Sequence, residues 1–176
     1  MSSNQEIIKN IVSKHPGLRF HEIKKETKLA NGTLQHHLAQ LTKSHDLKSK
    51  YIDTIPRYYT YDLEDANQTI LLRLRQTTTS KIIKSILKNE CQTFAQLVKS
   101  SKKSPGTVSI YKNMLLEDNI IVGDTNSCKC SKGITATRIK YRLVEPEKVR
   151  TLVEEYGKTS LKKSADNLAD IFLSLK

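Results

Sequence analysis

The sequence has few of the residues on which several classes of protein depend. It contains no tryptophan, three cysteines and six glycines, and no apolar run approaches the roughly 18 residues that a membrane span needs. Three cysteines do not make an even disulfide framework, and reduced thiols are typical of an intracellular protein. The opening segment "MSSNQEIIKNIVSKHPG" lacks the apolar centre and the cleavage site of a signal peptide. We therefore expect a cytoplasmic protein without membrane association.

The patterns that mark enzymes and metal sites are also missing. There is no glycine-rich phosphate loop, no carboxylate pair and no catalytic triad spacing, so the sequence predicts a protein that is not an enzyme and needs no cofactor. Cys128-Lys129-Cys130 is half of a metal site at best, and Cys91 would have to join it as a third thiolate. Zinc usually takes four ligands, so reduced thiols are favoured over a metal or redox sensor and no metal site is predicted.

Negative charge is scarce relative to positive charge. The chain has 30 Lys and Arg against 18 Asp and Glu, a net charge of +12. Residues 1–62 hold 10 basic and 6 acidic side chains, and residues 81–147 hold 12 and 6. Because the excess is divided between two parts of the chain, it is typical of two folded units that both face an anionic partner such as nucleic acid. The charge pattern does not identify a small-molecule effector.

An internal repeat organises the chain. "NGTLQHHLAQL" (31–41) and "PGTVSIYKNML" (105–115) lie 74 positions apart, and "EIIKNIV" is echoed by "KIIKSIL" 75 positions later. Each copy has a first amphipathic helix, a short extended segment, a second helix, a tight turn, a third helix and two β-patterned stretches. Three helices followed by a two-stranded ribbon predict a winged helix-turn-helix. The expected fold is mainly α with small β-wings, two such domains in tandem.

The domain boundaries follow from the repeat. We expect the first winged domain at 1–62, a linker helix at 63–80, the second winged domain at 81–147 and C-terminal helices at 148–176. The last segment carries an a/d seam that is too short for a free coiled coil and must dock on its own second domain, on the linker helix or on a second chain. A symmetric homodimer is favoured, since two-fold operators are read by two-fold proteins. The seam consists of Leu161, Ala165, Leu168, Phe172 and Leu175.

The first copy also carries a resemblance. "HPGLRFHEIKKETKLANGTLQHHLAQL", followed by "RYYTYD", resembles the tandem winged-helix transcriptional regulators common in archaea, which are related to the ArsR and MarR classes. The resemblance extends over nearly the whole chain. It implies a sequence-specific transcriptional regulator, associated with the nucleoid, whose partner is double-stranded DNA. Two alternatives remain open: a protein-interaction adaptor of transcription or replication machinery, and a nucleoid protein that binds DNA without sequence preference.

The third helix of the first copy can be sorted by its apolar spacing. Leu34, Leu38 and Leu41 stand at i, i+4 and i+7 and define the buried face. His37 flanks this stripe and is expected to pack at the edge of the core, whereas His36 is expected to face the major groove. Asn31 is the expected helix cap. The predicted DNA-binding residues of this copy lie on the third helix and the wing: Asn31, Thr33, Gln35, His36, Gln40, Lys48, Lys50 and Arg57.

The second copy departs from the first. Lys112 stands where the first copy has Leu38, and Ile110 stands where it has His36. Its third helix therefore either reads thymine methyl groups and phosphates or contacts a protein. Its predicted DNA-binding residues are Ser104, Thr107, Ser109, Lys112, Lys132 and Arg138. In the first wing, the alternating tyrosines 51, 59 and 61 are expected in the sheet core rather than stacked on bases.

Overall fold

A computed structural model describes residues 3–52, 54–124 and 139–157. The chain divides into two compact units, residues 1–71 and 72–176. Each contains helices and one small three-stranded antiparallel sheet, which confirms the predicted fold class of two winged helix-turn-helix units. No helix within the described ranges is long and apolar enough to cross a membrane. The predicted C-terminal seam, the segment with Cys128 and Cys130, and Lys132 and Arg138 lie outside the described residues.

The first unit begins with a helix that ends just before His15-Pro16, as expected because proline disfavours helical backbone in the residue before it. Its sheet has the strand order β1-β3-β2. In the register, Leu18 lies opposite Tyr58, and Lys50 lies opposite Arg57. The elements are α1 (Ser3–Lys14), β1 (Leu18–Arg19), α2 (Phe20–Thr27), α3 (Asn31–Lys43), β2 (Leu47–Ile52), β3 (Ile55–Thr60) and α4 (Asp65–Arg75), the last of which extends into the second unit.

The core of the first unit forms where the apolar stripes of its helices meet the sheet. Leu34, Leu38 and Leu41 are at most 2% exposed, which confirms the buried face predicted for α3. The sequence predicts an apolar stripe on α1 made of Ile7, Ile8, Ile11 and Val12. Ile8 and Val12 are fully buried, but Ile7 is 45% exposed, so its predicted place in the stripe is wrong. The stripe was drawn one residue too wide, because adjacent helical residues point about 100° apart.

The second unit repeats this arrangement, with the strand order β4-β6-β5. Its core is built by the residues that correspond to those of the first unit, among them Ile83, Leu97, Val108 and Leu115, all fully buried. The elements are α5 (Thr77–Lys88), β4 (Gln92–Thr93), α6 (Phe94–Ser101), α7 (Pro105–Glu117), β5 (Ile121–Asp124), β6 (Lys140–Leu143) and α8 (Pro146–Gly157).

The third helices begin differently in the two units. Ser104 caps α7 by accepting a hydrogen bond from the backbone N–H of Thr107, 3.3 Å away, and Pro105 follows in the first turn. A serine followed by a proline predicts such a helix start from sequence alone. In α3 the N-cap is Ala30, which has no side chain for the role. The prediction that Asn31 caps α3 is therefore wrong: Asn31 is the first helical residue, and its side chain is exposed.

The tyrosines of the first wing do not all enter the core. Tyr59 is fully buried, but Tyr51 and Tyr61 are 69% and 53% exposed, so the prediction is wrong for those two. Strand alternation places residues on a face, but only an element packed on that face buries them. Tyr51 lies beside the turn that joins β2 to β3, and Tyr61 follows the last residue of β3.

Cys91, at the turn before β4, is disulfide-bonded. The cysteine count favours reduced thiols, and for this residue that expectation is wrong. An odd number of cysteines excludes complete pairing but does not exclude one bond.

Candidate nucleic-acid interface

The exposed face of α3 carries several polar groups. Asn31, Thr33, Gln35 and His36 are all exposed, while Leu34, between them, is fully buried. The side chains of the first three form no hydrogen bond within the described part of the chain, so their donors and acceptors are open to a partner. Gln40 differs: its Oε1 accepts a hydrogen bond of 2.9 Å from Gln5 of α1. The exposed polar side chains without a partner in the chain therefore lie in the N-terminal half of α3, on the side of the helix opposite the buried leucines.

The two adjacent histidines of α3 have different surroundings. His36 is exposed and His37 is half-buried, and their ring centroids are 5.6 Å apart in an edge-to-face arrangement. Nδ1 of His37 is buried and has no hydrogen-bond partner among the described residues. His37 thus lies at the border of the core, and His36 on the open face.

The basic side chains of the first wing turn toward α4. Lys48 and Asp65 form an ion pair of 3.0 Å, and Nζ of Lys50 donates to Oγ1 of Thr69 at 3.1 Å. The hydrogen bond from Lys48 lowers the pKa of the Asp65 carboxyl, so that carboxylate is charged at neutral pH. Both lysines are held by α4 of the same unit rather than extended toward α3.

Arg57 is also on this face of the ribbon, opposite Lys50. It is only 7% exposed, and its Nη1 donates a hydrogen bond of 2.7 Å to the carbonyl oxygen of Gly17. The guanidinium is thus enclosed within its own unit and engaged by its backbone. The structure thus separates Lys48, Lys50 and Arg57 from the exposed face of α3.

The opposite face of the ribbon forms a groove with α3. Ser49 and Tyr58, which are partners in the β2–β3 register, lie on this face. Burial raises the pKa of the Tyr58 hydroxyl, which therefore remains protonated and able to donate. The groove has a volume of about 400 Å³ and is lined by Gln35, Leu38, Ala39, Thr42, Lys43, Ser49 and Tyr58. Sequence reasoning missed Lys43, Ser49 and Tyr58. Strand alternation would have placed Ser49 and Tyr58 on the ribbon face opposite Lys50 and Arg57.

The candidate residues of the second unit are largely engaged with their own helix or core. The hydroxyls of Ser104 and Thr107 are 2.8 Å apart in the cap of α7, and Ser109 is half-buried. Nζ of Lys112 lies 5.9 Å from the ring centroid of Phe94 and 5.4 Å from that of Tyr141. Residues Ile110, Asn113 and Glu117 form the exposed face of α7, with Ile110 64% exposed. On this face the amide of Asn113 and the carboxylate of Glu117 are the groups that can hydrogen-bond a base edge, and the carboxylate would repel a phosphate.

Lys112 occupies the place that buried Leu38 fills in the first unit. We expect Lys112→Leu to raise the free energy of unfolding of the second unit by about 1 kcal/mol, because leucine buries apolar surface without desolvating an ammonium group. Denaturant unfolding would measure the change, with Lys103→Leu at an exposed position as the control. A loss of stability in Lys112→Leu alone would instead show that the cation–π contacts outweigh the burial.

The comparison with known families matches the first unit. The sequence model of a family described as the HVO_0163 N-terminal HTH domain matches residues 2–71. No curated protein matches the chain. The first unit is therefore a helix-turn-helix domain, a type of domain that typically binds DNA and is typically not an enzyme, and DNA is the partner that it implies.

Proposed function

We propose that this protein is a sequence-specific transcriptional regulator that reads double-stranded DNA with α3 in the major groove. The observation that carries the proposal is the set of exposed polar side chains on α3, on the side of the helix opposite its buried leucines. The amide of Gln35 can bind the N6 and N7 edge of adenine, and the imidazole of His36 can bind a base-edge acceptor or donor. Thr33, in the first turn of α3, can bond a phosphate and so position the helix.

The groove between α3 and the first wing supports the same proposal. A duplex with α3 in its major groove places one sugar–phosphate strand beside the helix, where the groove runs. Lys43 is exposed there and supplies positive charge. The hydroxyls of Ser49 and Tyr58 supply neutral hydrogen-bond donors of the kind that contact phosphate oxygens. The first wing would therefore contact the DNA backbone with the face that carries Ser49 and Tyr58. The opposite face carries Lys48, Lys50 and Arg57.

The second copy enters this proposal in a lesser role. Ser104 and Thr107 serve the cap of α7, and Lys112 lies against aromatic rings. A base-reading role of α7 would therefore rest on Ile110, Asn113 and Ser109. The remaining proposals stand on sequence pattern: a symmetric homodimer through the C-terminal seam, a relation to the ArsR and MarR classes, and a cytoplasmic location on the nucleoid. Light scattering at micromolar concentration tests the dimer, since a monomeric mass would contradict it.

One experiment separates the regulator from its two alternatives. The full chain is titrated against genomic DNA fragments at several salt concentrations. A regulator gives a linear fall of log affinity with log salt together with a strong preference for some fragments. The same fall without fragment preference indicates a nucleoid protein, and no binding at low salt indicates a protein-interaction adaptor.

A further inference from the structure

Both units carry a pair of lysines where the second helix ends and the turn to the third helix begins. Lys25 and Lys28 stand there in the first unit, and Lys99 and Lys102 stand 74 positions later in the second. All four are exposed. Their ammonium groups form no hydrogen bond or ion pair with the described part of the chain. We refer to these four residues as the turn lysines.

The backbone at this turn gives a second observation. Lys28 has φ 56° and Lys102 has φ 54°, both in the left-handed region. A residue with a Cβ is strained there and glycine is not, which is why glycine commonly ends a helix in this way. The chain thus has a lysine at the same strained position in each unit, where glycine would stabilise the fold. A strained position that holds a charged side chain is a candidate for a functional contact.

The location of the turn lysines fits a phosphate ligand. Lys28 and Lys102 each lie three residues before the first residue of the third helix, so they border the helix end that enters the groove. In the first unit Glu26 offsets part of the charge, whereas between Gln96 and Ser104 the second unit has no acidic residue at all. Positive charge at this turn is therefore stronger in the second unit.

Within the described residues, the basic side chains that the sequence predicted for DNA contact do not fill this role. Lys48 and Lys50 are held by α4, Arg57 is buried, and Lys112 packs on aromatic rings. The exposed face of α7 carries Glu117 and no cation. A protein that binds DNA must still neutralise backbone phosphates, and in each unit the turn lysines are placed to do so.

We propose that the turn lysines are backbone phosphate contacts, and that the second unit binds the duplex through Lys99 and Lys102. The inference rests on the proposed function in that its ligand is double-stranded DNA. Log affinity falls as log salt rises, and each neutralised phosphate adds about 0.9 to the steepness of that fall. The salt slope below means this steepness. Each lysine pair therefore accounts for about 1.8 of that slope.

Glycine substitutions give the sharpest test, because the strain and the charge change together. We expect Lys28→Gly and Lys102→Gly each to raise Tm by a few degrees, roughly 4–8 °C per kcal/mol of relieved strain in a domain of this size, and to lower the salt slope by about 0.9. Weaker binding in a protein that melts higher cannot arise from misfolding. Lys25→Ala/Lys28→Ala and Lys99→Ala/Lys102→Ala should each lower the slope by about 1.8 while the preference among fragments is kept.

Lys81→Ala/Lys88→Ala, on α5, is the matched control, since it removes the same charge from another helix. An equal loss of slope in this control would mean that only the net charge matters, and the proposal would be wrong. The second-unit contact is overturned if the Lys99→Ala/Lys102→Ala variant keeps the wild-type slope. Absence of DNA binding by the wild type would instead refute the proposed function. Wild-type binding with fragment preference, and unchanged slopes in all lysine variants, would refute this inference alone.

Discussion

Replacing Gln35 and His36 together by alanine is expected to weaken binding to a preferred duplex by about 100-fold. Each side-chain contact to a base edge contributes roughly 1–3 kcal/mol of discrimination, so the loss of two contacts removes most of the preference. Binding to a scrambled duplex should change little, because phosphate contacts dominate it. Both side chains are exposed, so the melting temperature should stay near that of the wild type. Fluorescence anisotropy with the two duplexes at one salt concentration measures the effect.

His37→Ala is the matched control for this result. His37 is half-buried at the border of the core, so its removal should lower the stability of the first unit and leave the binding of the folded protein nearly intact. If the Gln35→Ala/His36→Ala variant lost affinity equally for both duplexes, α3 would not be the base reader. If His36→Ala and His37→Ala had equal effects on binding and on melting, the division between the two histidines would be wrong.

Arg57→Ala is expected to lower the free energy of unfolding of the first unit by about 3 kcal/mol. The substitution leaves the buried carbonyl of Gly17 without the guanidinium that donates to it, a charge-assisted bond that contributes roughly 1.5–3 kcal/mol. It also removes the aliphatic stem that packs beside the sheet. Chemical denaturation followed by circular dichroism would measure the loss.

Lys50→Ala tests whether this effect belongs to the buried guanidinium. Lys50 is the cross-strand partner of Arg57 but is exposed, so its removal should cost less than about 1 kcal/mol. Where both variants are folded, the DNA affinity of Arg57→Ala should match that of the wild type. An Arg57→Ala protein that unfolds like the wild type but binds DNA weakly would restore the phosphate role predicted from sequence.

The architecture could be predicted because it depends on local periodicity. The spacing of Leu34, Leu38 and Leu41 sets one buried helix face, and the 74-residue repeat carries that assignment to Val108 and Leu115. The cap at Ser104 was readable for the same reason, since a cap involves only neighbours in sequence. Where the local signal was weak, as at Ala30 before α3, the sequence reading placed the boundary one residue too late.

The candidate interface depended on neighbours that are distant in sequence. Lys48, Lys50 and Arg57 were read as wing cations, yet Asp65 and Thr69 of α4 and the carbonyl of Gly17 determine where those side chains point. The left-handed backbone of Lys28 and Lys102 was likewise invisible in the amino-acid order. Composition alone does not distinguish the basic residues that are exposed to a partner from those that are held by their own unit.

The sequence by itself determined that there are two winged helix-turn-helix units, which residues of α3 are buried, and that the chain carries a large positive charge. Each of these properties follows from residue type and from spacing within one element. Only the tertiary structure decided which cations are available to DNA, because that depends on what packs on each face of the wing. In the structure, contacts within the same unit hold Lys48, Lys50, Arg57 and Lys112. The turn lysines and the polar face of α3 are exposed.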